Sequence, residues 1–547
     1  MTQNEQQAHC YYMQIQPDWQ GLVVAQEEGG NDAEERCWLD VYERSVHIDN
    51  RDNLNDNDEK LRVQIQSAAS AHYELELSAT SVGQCIAPKD APSSHQQQQH
   101  LVEIAKRENQ WIEVHAHIGA YNQQQQQQRI VRTVFQAPTA TVNVTAIAND
   151  GGVSKRQLHA VDVSNDEKLI AVGGDDGFCA LWDALDRTET FALSGHMLDV
   201  TRVLFFPSSK VLLTGSLDFT LRIWSAETGQ CAAVLKGHRG GIEDIAILGR
   251  GRNVLSSSSD GLIHLWSCGT QEVIAKWGND AQSAVHCLSV LDDSVMKMLI
   301  GDSQQGDTPE AHDLEAETEG KVLFAGLESG EALGVDIRMQ QLVINVQGTG
   351  SPILSCAATV SGSAPLLLTG SEDGLLTTWD LRNTSSPLQL LSRSSSPINR
   401  IAIASSNPKA PFATAWTAHG DGVCCNWSHL STGTSDYGNA VSTTELTGPL
   451  YDPVRDVAIA PRTGRVFTVC RDGLLRDYIP HCLLLSSRVD DIDDVSFGCL
   501  RSSMSITWMW CITRSSSSSP ISLVGTRVYL VISVSLSRST AECLRNV

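Results

Sequence analysis

His196, Ser216 and Asp218, with Trp224 close behind, carry the residue types of a nucleophilic triad: a hydroxyl, an imidazole base and a carboxylate to orient it. His238, Ser258, Asp260 and Trp266 repeat the set. Repetition at a fixed spacing argues against chemistry, because an active site is built once whereas a structural device recurs with every copy of its unit. The same residues satisfy a structural reading. The Ser lies on a strand, the Asp in the tight turn that follows, the Trp on the next strand and the His in the loop entering the unit. Together they can close a buried hydrogen-bond chain that stabilises only when every member is paired.

The unit that positions them recurs seven times between about Leu158 and Tyr478. A small-residue strand ends in an Asp-Gly-type turn, and five residues past the second turn residue stands a Trp or its substitute. The positions are Trp182, Trp224, Trp266, Val335, Trp379, Trp427 and Tyr478, the first three 42 apart. Gly at the turn fits, since it tolerates positive φ. A period of about 42 residues is one four-stranded blade, and seven such units predict an all-β, seven-bladed β-propeller. Closure removes open sheet edges and needs a strand from the N-terminal side to complete the last blade. Thr141–Ile147 alternates correctly and is the expected closing strand.

The hydrogen-bond set varies between units. The fifth keeps Ser371, Asp373 and Trp379 but has Pro352 near the place of the His. The sixth has His419 at the Ser position, and Val335 and Tyr478 replace Trp in the fourth and seventh. These blades are expected to be less rigid, or held by partner contacts.

Around the repeats, residues 1–140 form an expected β-rich module with Gln-rich, disordered loops (Gln96–Gln99, Gln123–Gln128) and strands such as Tyr73–Leu77 and Trp111–His115. His115 and His117 share a strand face and read as exposed strand histidines rather than metal ligands. The propeller is expected over 141–480, with a disordered blade loop at Asp292–Gly320. Residues 481–547, with the serine run Ser515–Ser519, do not repeat the blade pattern. They are expected to be a low-complexity, disordered tail, much of it not native structure.

Composition narrows the function classes. A formal charge of −24 and the absence of a clustered basic face speak against nucleic acid as partner. The 15 cysteines are scattered without Cys-x-x-Cys spacing, which suits buried thiols in a reducing compartment. The N-terminus lacks the basic start and apolar run of a signal peptide, and no stretch of about 18 apolar residues predicts a membrane span. No phosphate loop, dinucleotide fingerprint or zinc-protease pattern is present, so no enzyme activity, catalytic residue, cofactor or metal is expected. Propellers bind through one rim, and Asp199, Glu243, Asp244, Glu372, Asp452, Arg455 and Arg471 fall there as candidate partner-binding residues. Several are acidic, which suits a basic helical partner. Asp199 and Asp244 could instead support the loops.

Gly195-His-Met-Leu-Asp-Val-Thr-Arg-Val-Leu-Phe-Phe-Pro207 resembles a WD40 repeat. Ile223-Trp-Ser-Ala-Glu-Thr-Gly229, Lys236-Gly-His-Arg-Gly-Gly-Ile-Glu-Asp-Ile-Ala-Ile247, Gly249-Arg-Gly-Arg-Asn-Val-Leu-Ser256, Asp452-Pro-Val-Arg-Asp-Val-Ala458 and Cys470-Arg-Asp-Gly-Leu-Leu-Arg476 together resemble the proteasomal ATPase-associated factor 1 family. The resemblance is good over about Gly195–Trp277, recognisable at Leu446–Tyr478 and loose between. It implies a WD40 assembly chaperone of the proteasome regulatory particle, binding the C-terminal domain of one base ATPase subunit and blocking premature docking on the proteolytic core. It also implies a cytoplasmic and nuclear protein that is monomeric outside that complex. Two other readings compete. Trp379-Asp380-Leu381-Arg382 matches the short box of cullin ubiquitin-ligase substrate receptors, and a WD40 scaffold in another complex, such as ribosome maturation, fits the same fold.

Overall fold

The computed structural model describes residues 7–20, 36–48, 63–67, 71–76, 85–86, 101–108, 110–118, 129–147, 153–278, 283–291, 312–361, 364–404, 413–430 and 442–480. Both Gln tracts and residues 481–547 lie outside them, so the expectations placed there have no structural counterpart. Among the described residues, no helix is long and apolar enough to cross a membrane.

The described residues between Leu158 and Tyr478 form an all-β propeller. Seven antiparallel sheets follow one another, here called blades 1 to 7; the first six are laid down inside to outside, and the seventh takes its outer strand from the N-terminal side. Their inner strands are Leu158–Val163, Val200–Phe205, Ile242–Leu248, Val285–Leu291, Ile353–Ser361, Ile398–Ile403 and Val454–Ile459. Each inner strand packs on the next, and Val454–Ile459 packs on Leu158–Val163, so the ring closes. In blade 2 the second strand, Val211–Ser216, is almost wholly buried, whereas the outer strand of that sheet, Cys231–Lys236, is largely exposed.

Blade-to-blade packing explains the small residues before each turn. A Cβ added at Gly215 would lie 2.7 Å from Ile242 Cγ2, the first side chain of the next inner strand. A methyl there would push two blades apart. Gly370 stands in the same relation to Ile398, at 2.6 Å.

The closing strand is shorter than the sequence implied. Ala140–Asn143 pairs antiparallel with Leu474–Tyr478 and completes blade 7. Thr145–Ile147 instead forms a small hairpin with Val153–Lys155. Asn143 is the last residue opposite blade 7, and Val144 turns inward, its N–H donating to the Gly473 carbonyl at 3.1 Å.

The N-terminal region builds its own core around Met13, Trp19, Leu39, Tyr73, Leu75, Ile104, Ile112 and Phe135. Its strand Arg129–Gln136 then runs parallel to Ser442–Leu446, the outer strand of blade 6, and extends that blade into an eight-stranded sheet. The segment Asp292–Gly320 departs from the expected loop in its described part. Ala316 N donates to Asn253 Oδ1 at 2.6 Å, Asn253 Nδ2 donates to the Leu314 carbonyl at 3.1 Å, and Glu315 pairs with Arg338 at 3.7 Å. These bonds fasten residues 314–316 to blades 3 and 4.

Candidate functional site: the channel mouth

Every inner strand of the propeller carries a register shift at the same place, between its first and third residues. The residue left over is a β-bulge, which releases one side chain from the ladder and re-aims it. Around the ring the bulged residues are His159, Thr201, Glu243, His286, Leu354, Asn399 and Arg455. Beside each, the first residue after the second strand donates its N–H to the carbonyl just before the inner strand. Glu328 bonds Ala284, Glu372 bonds Pro352 and Arg471 bonds Pro453, at 3.0, 3.0 and 3.2 Å. The two sets line the channel mouth on the face formed by the entry loops and the turns between second and third strands.

Charge is unevenly spread over that mouth. Burial pushes the Glu243 carboxyl up, against the pull of Arg202. Burial pulls the His286 imidazole down, against Glu328 and Glu372. It pulls His159 down too, against Asp199. Arg455 is lowered by burial and by neighbouring Arg471. Blades 1 and 3 to 5 thus present carboxylates, and blade 7 presents arginines.

Of the sequence-predicted rim residues, Glu372 and Arg471 are exposed, while Asp199, Glu243, Asp452 and Arg455 are half-buried. Asp199 also supports its loop, Oδ1 accepting the Asp176 N–H at 3.1 Å. Asp244 is a correction. It is fully buried, one residue past the bulge, where the ladder turns it into the channel. There Arg202 Nε lies 2.9 Å from Asp244 Oδ1, and Arg400 Nη1 lies 3.2 Å from Oδ2, which also accepts the Leu288 N–H at 2.9 Å. Asp456 completes the square, 3.2 Å from Arg202 and 3.5 Å from Arg400, and accepts the Val161 N–H at 3.0 Å. Two arginines from blades 2 and 6 each touch two aspartates from blades 3 and 7. With no vertex free for a partner, Asp244 cannot serve as a surface contact.

The triad-like sets are structural, with a different hydroxyl from the one expected. In blade 2, Trp224 Nε1 donates to Thr214 Oγ1 at 2.9 Å, Thr214 Oγ1 lies 2.7 Å from His196 Nε2, and His196 Nδ1 lies 2.9 Å from Asp218 Oδ2. A carboxylate only accepts, so Nδ1 carries the proton in the neutral ring, and Thr214 donates to Nε2. Polarity runs one way along the chain, from indole to carboxylate. Blade 3 repeats it with Trp266, Ser256, His238 and Asp260, at 2.8, 2.8 and 3.0 Å. Ser216 is not in this chain. Its Oγ donates to the Leu198 carbonyl at 2.9 Å and accepts the Asp218 N–H at 3.1 Å, and Ser258 accepts the Asp260 N–H in the same way. Thr214 and Ser256 are fully buried, so the hydroxyl beside each imidazole is closed to substrate.

Elsewhere the device is rebuilt. Blade 5 keeps Trp379 Nε1 to Thr369 Oγ1 at 3.2 Å, and Ser371 Oγ bonds Asp373. In blade 6, His419 reaches Thr417 Oγ1 at 2.8 Å from the Ser position, while Trp427 Nε1 donates to the same oxygen at 2.8 Å. Arg393 takes the place of the entry-loop His as donor, 2.7 Å from Asp421 and bidentate to Glu445 at 2.9 and 3.1 Å. In blade 7 the Tyr478 hydroxyl donates to the Thr447 carbonyl at 2.9 Å. Val172 stands where blade 2 has Thr214, and the buried Trp182 Nε1 has no hydrogen-bond partner.

Other candidates resolve simply. Arg382 is half-exposed and closes on its own neighbour, Nη2 lying 2.6 Å from Asp380 Oδ2. His115 lies 2.9 Å from Glu113, and His117 lies 3.7 Å from Glu103. No His, Cys, Asp or Glu group among the described residues could hold a metal ion.

A ring of four-stranded sheets with this His–Asp–Trp device defines the class: the chain is a WD40-repeat propeller. The family model "WD domain, G-beta repeat" matches residues 135–183, 187–225 and 229–267. The latter two matches begin just ahead of the outer strand of one blade and end in the third strand of the next, so the sequence repeat and the blade are offset by one strand. Beyond the class, the chain is 34% identical over 200 residues to human "Proteasomal ATPase-associated factor 1", covering 35% of this chain and 45% of that one. It is 34% identical over 180 residues to the chicken protein of that name, covering 32% and 40%. To "Probable proteasomal ATPase-associated factor 1" of Dictyostelium discoideum it is 38% identical over 277 residues, covering 49% and 64%. The matched region thus spans less than half the length of the chicken and human relatives. Over these stretches the chain is similar to proteasomal ATPase-associated factor 1 proteins.

Proposed function

We propose that this chain is a non-enzymatic scaffold that binds the C-terminal domain of a proteasome base ATPase subunit and chaperones or restrains assembly of the regulatory particle. The observation that carries this reading is the similarity to relatives named for association with a proteasomal ATPase. The mouth geometry supports it. Half-buried Asp199 and Glu243, with exposed Glu372, offer carboxylates to a Lys- or Arg-rich helical surface. Asp452, Arg455 and Arg471 on the blade 7 side would fix which way round that surface sits. The protein would act as a monomer before joining the complex, in the cytoplasm and nucleus.

The test is direct binding of the full chain to the isolated C-terminal domains of the six base ATPases at two salt concentrations. Selective binding to one domain, weakened by salt and by Asp199→Lys or Glu243→Lys, is the expected result. A folded chain that binds none of the six overturns the reading.

A further inference from the structure

In six blades the second residue of the turn between second and third strands is a glycine in the left-handed region: Gly177, Gly261, Gly330, Gly374, Gly422 and Gly473, with φ between 72° and 88°. Blade 2 has Phe219 there, with φ of 69°. An aromatic side chain in that region is strained, and strain of this kind persists where function holds it. Phe219 lies outside the core, with 46% of it exposed. Met197 and Leu198, in the loop entering the same blade, are 82% and 50% exposed. The three belong to one rigid structure. Met197 N donates to Asp218 Oδ2 at 3.1 Å, Ser216 Oγ donates to the Leu198 carbonyl at 2.9 Å, and Leu217 N donates to the Asp199 carbonyl at 2.9 Å. In blade 3 the corresponding positions are Arg239, Gly240 and Gly261, so the neighbouring blade lacks this apolar tip.

Acid borders the tip. Asp176 is exposed and bonded through its N–H to Asp199, whose side chain is 39% exposed, and Glu243 stands on the next inner strand. Arg239, exposed in the loop entering blade 3, is the cation on that side.

We infer that Met197, Leu198 and Phe219 seat one bulky apolar side chain of a protein partner, whose flanking Lys or Arg residues reach Asp176 and Asp199. A cluster of rigid apolar side chains ringed by charge is the arrangement of an interface anchor. The inference deepens the reading above by naming which part of the mouth carries affinity.

The test compares the full chain with Phe219→Gly and Met197→Ser. Two probes are used: the six ATPase C-terminal domains, and a synthetic leucine-centred peptide flanked by lysines, with its glutamate-flanked counterpart. Phe219→Gly is expected to raise the unfolding midpoint, by relieving strain, while weakening binding to the recognised domain or lysine peptide at least tenfold. Met197→Ser is expected to weaken it without raising the midpoint. An ATPase domain that binds wild type and Phe219→Gly within twofold sinks this inference and leaves the proposed function standing. A lysine peptide that binds and is lost in Phe219→Gly, with no ATPase domain bound, does the reverse. Binding of neither probe, or equal binding of both peptides, overturns the inference.

Discussion

Trp19 and Thr447, 428 residues apart, are joined by a 3.0 Å hydrogen bond from the indole Nε1 to the threonine Oγ1, and both are buried. That bond welds the N-terminal core to the loop between blades 6 and 7. The same threonine carbonyl holds Tyr478, and Arg393 lies over the Tyr12 ring at 5.5 Å. Trp19→Ala should therefore cost about 3–5 kcal/mol, the range for losing a buried Trp. A lowered urea midpoint checks this. An effect below about 1 kcal/mol would show that the N-terminal region does not stabilise the propeller.

The hydroxyl that matters in blade 2 is Thr214. Thr214→Val leaves both His196 and Trp224 short of a partner, and each orphaned buried group costs about 1–3 kcal/mol. Ser216→Ala removes two bonds within the loops, to the Leu198 carbonyl and from the Asp218 N–H, and should cost less, about 1 kcal/mol. Chemical denaturation of the two variants side by side decides between them. Equal losses would contradict the chain of donors described here.

Asp244→Ala should be among the most damaging single changes, about 3–5 kcal/mol, because it leaves buried Arg202 and half-buried Arg400 to share one carboxylate, Asp456. Asp199→Ala, on a partly exposed side chain, should fall within about 1 kcal/mol. Thermal unfolding of both variants tests the contrast, and a mild Asp244→Ala would mean that water replaces the carboxylate.

In blade 3 stability should fall with acid before Asp260 titrates. His238 and His264 stack at 3.8 Å, and both His264 ring nitrogens lack a hydrogen-bond partner. Burial, then His238 and Lys276, pull His264 down to about 3, with Asp260 opposing. His238 is lowered mainly by burial, against Asp260. An unfolded His takes its proton near pH 6.5, so below that pH the unfolded chain binds more protons and folding weakens. The loss approaches about 1.4 kcal/mol per pH unit for each His until its folded pKa is reached. Asp260, held low in the fold, adds a further loss below about pH 4. His264→Phe should flatten the decline between pH 6.5 and 4, read as urea midpoints across that range. An unchanged profile would place the titration elsewhere.

The architecture was readable because its signals are local. A Trp or its substitute marks each blade, a glycine stands in six of the seven turns, and small residues such as Gly215 and Gly370 answer to the first side chain of the next inner strand. What was not readable depends on register. One bulge decides that Glu243 faces the mouth while Asp244, its neighbour, enters the channel, and acidity alone cannot separate them. Arg202, Arg400 and Asp456 meet only because the ring closes. A signal for the bridging hydroxyl was present. Thr214, Ser256, Thr369 and Thr417 each stand ten residues before their Trp, whereas the more conspicuous Ser after the glycine drew attention to the wrong oxygen.

The seven bulges have a consequence for how such a protein can change. Of the bulged residues, Thr201 and Asn399 donate from their side chains to the next inner strand, at the Ile242 and Val454 carbonyls, 2.7 Å each. His159, Thr201, Glu243, His286, Leu354, Asn399 and Arg455 differ in size and charge while the strands around them keep one geometry. At His159, Glu243, His286, Leu354 and Arg455 the mouth is thus a text that can be rewritten one letter at a time while the scaffold beneath stays the same, whereas Thr201 and Asn399 also tie neighbouring inner strands together.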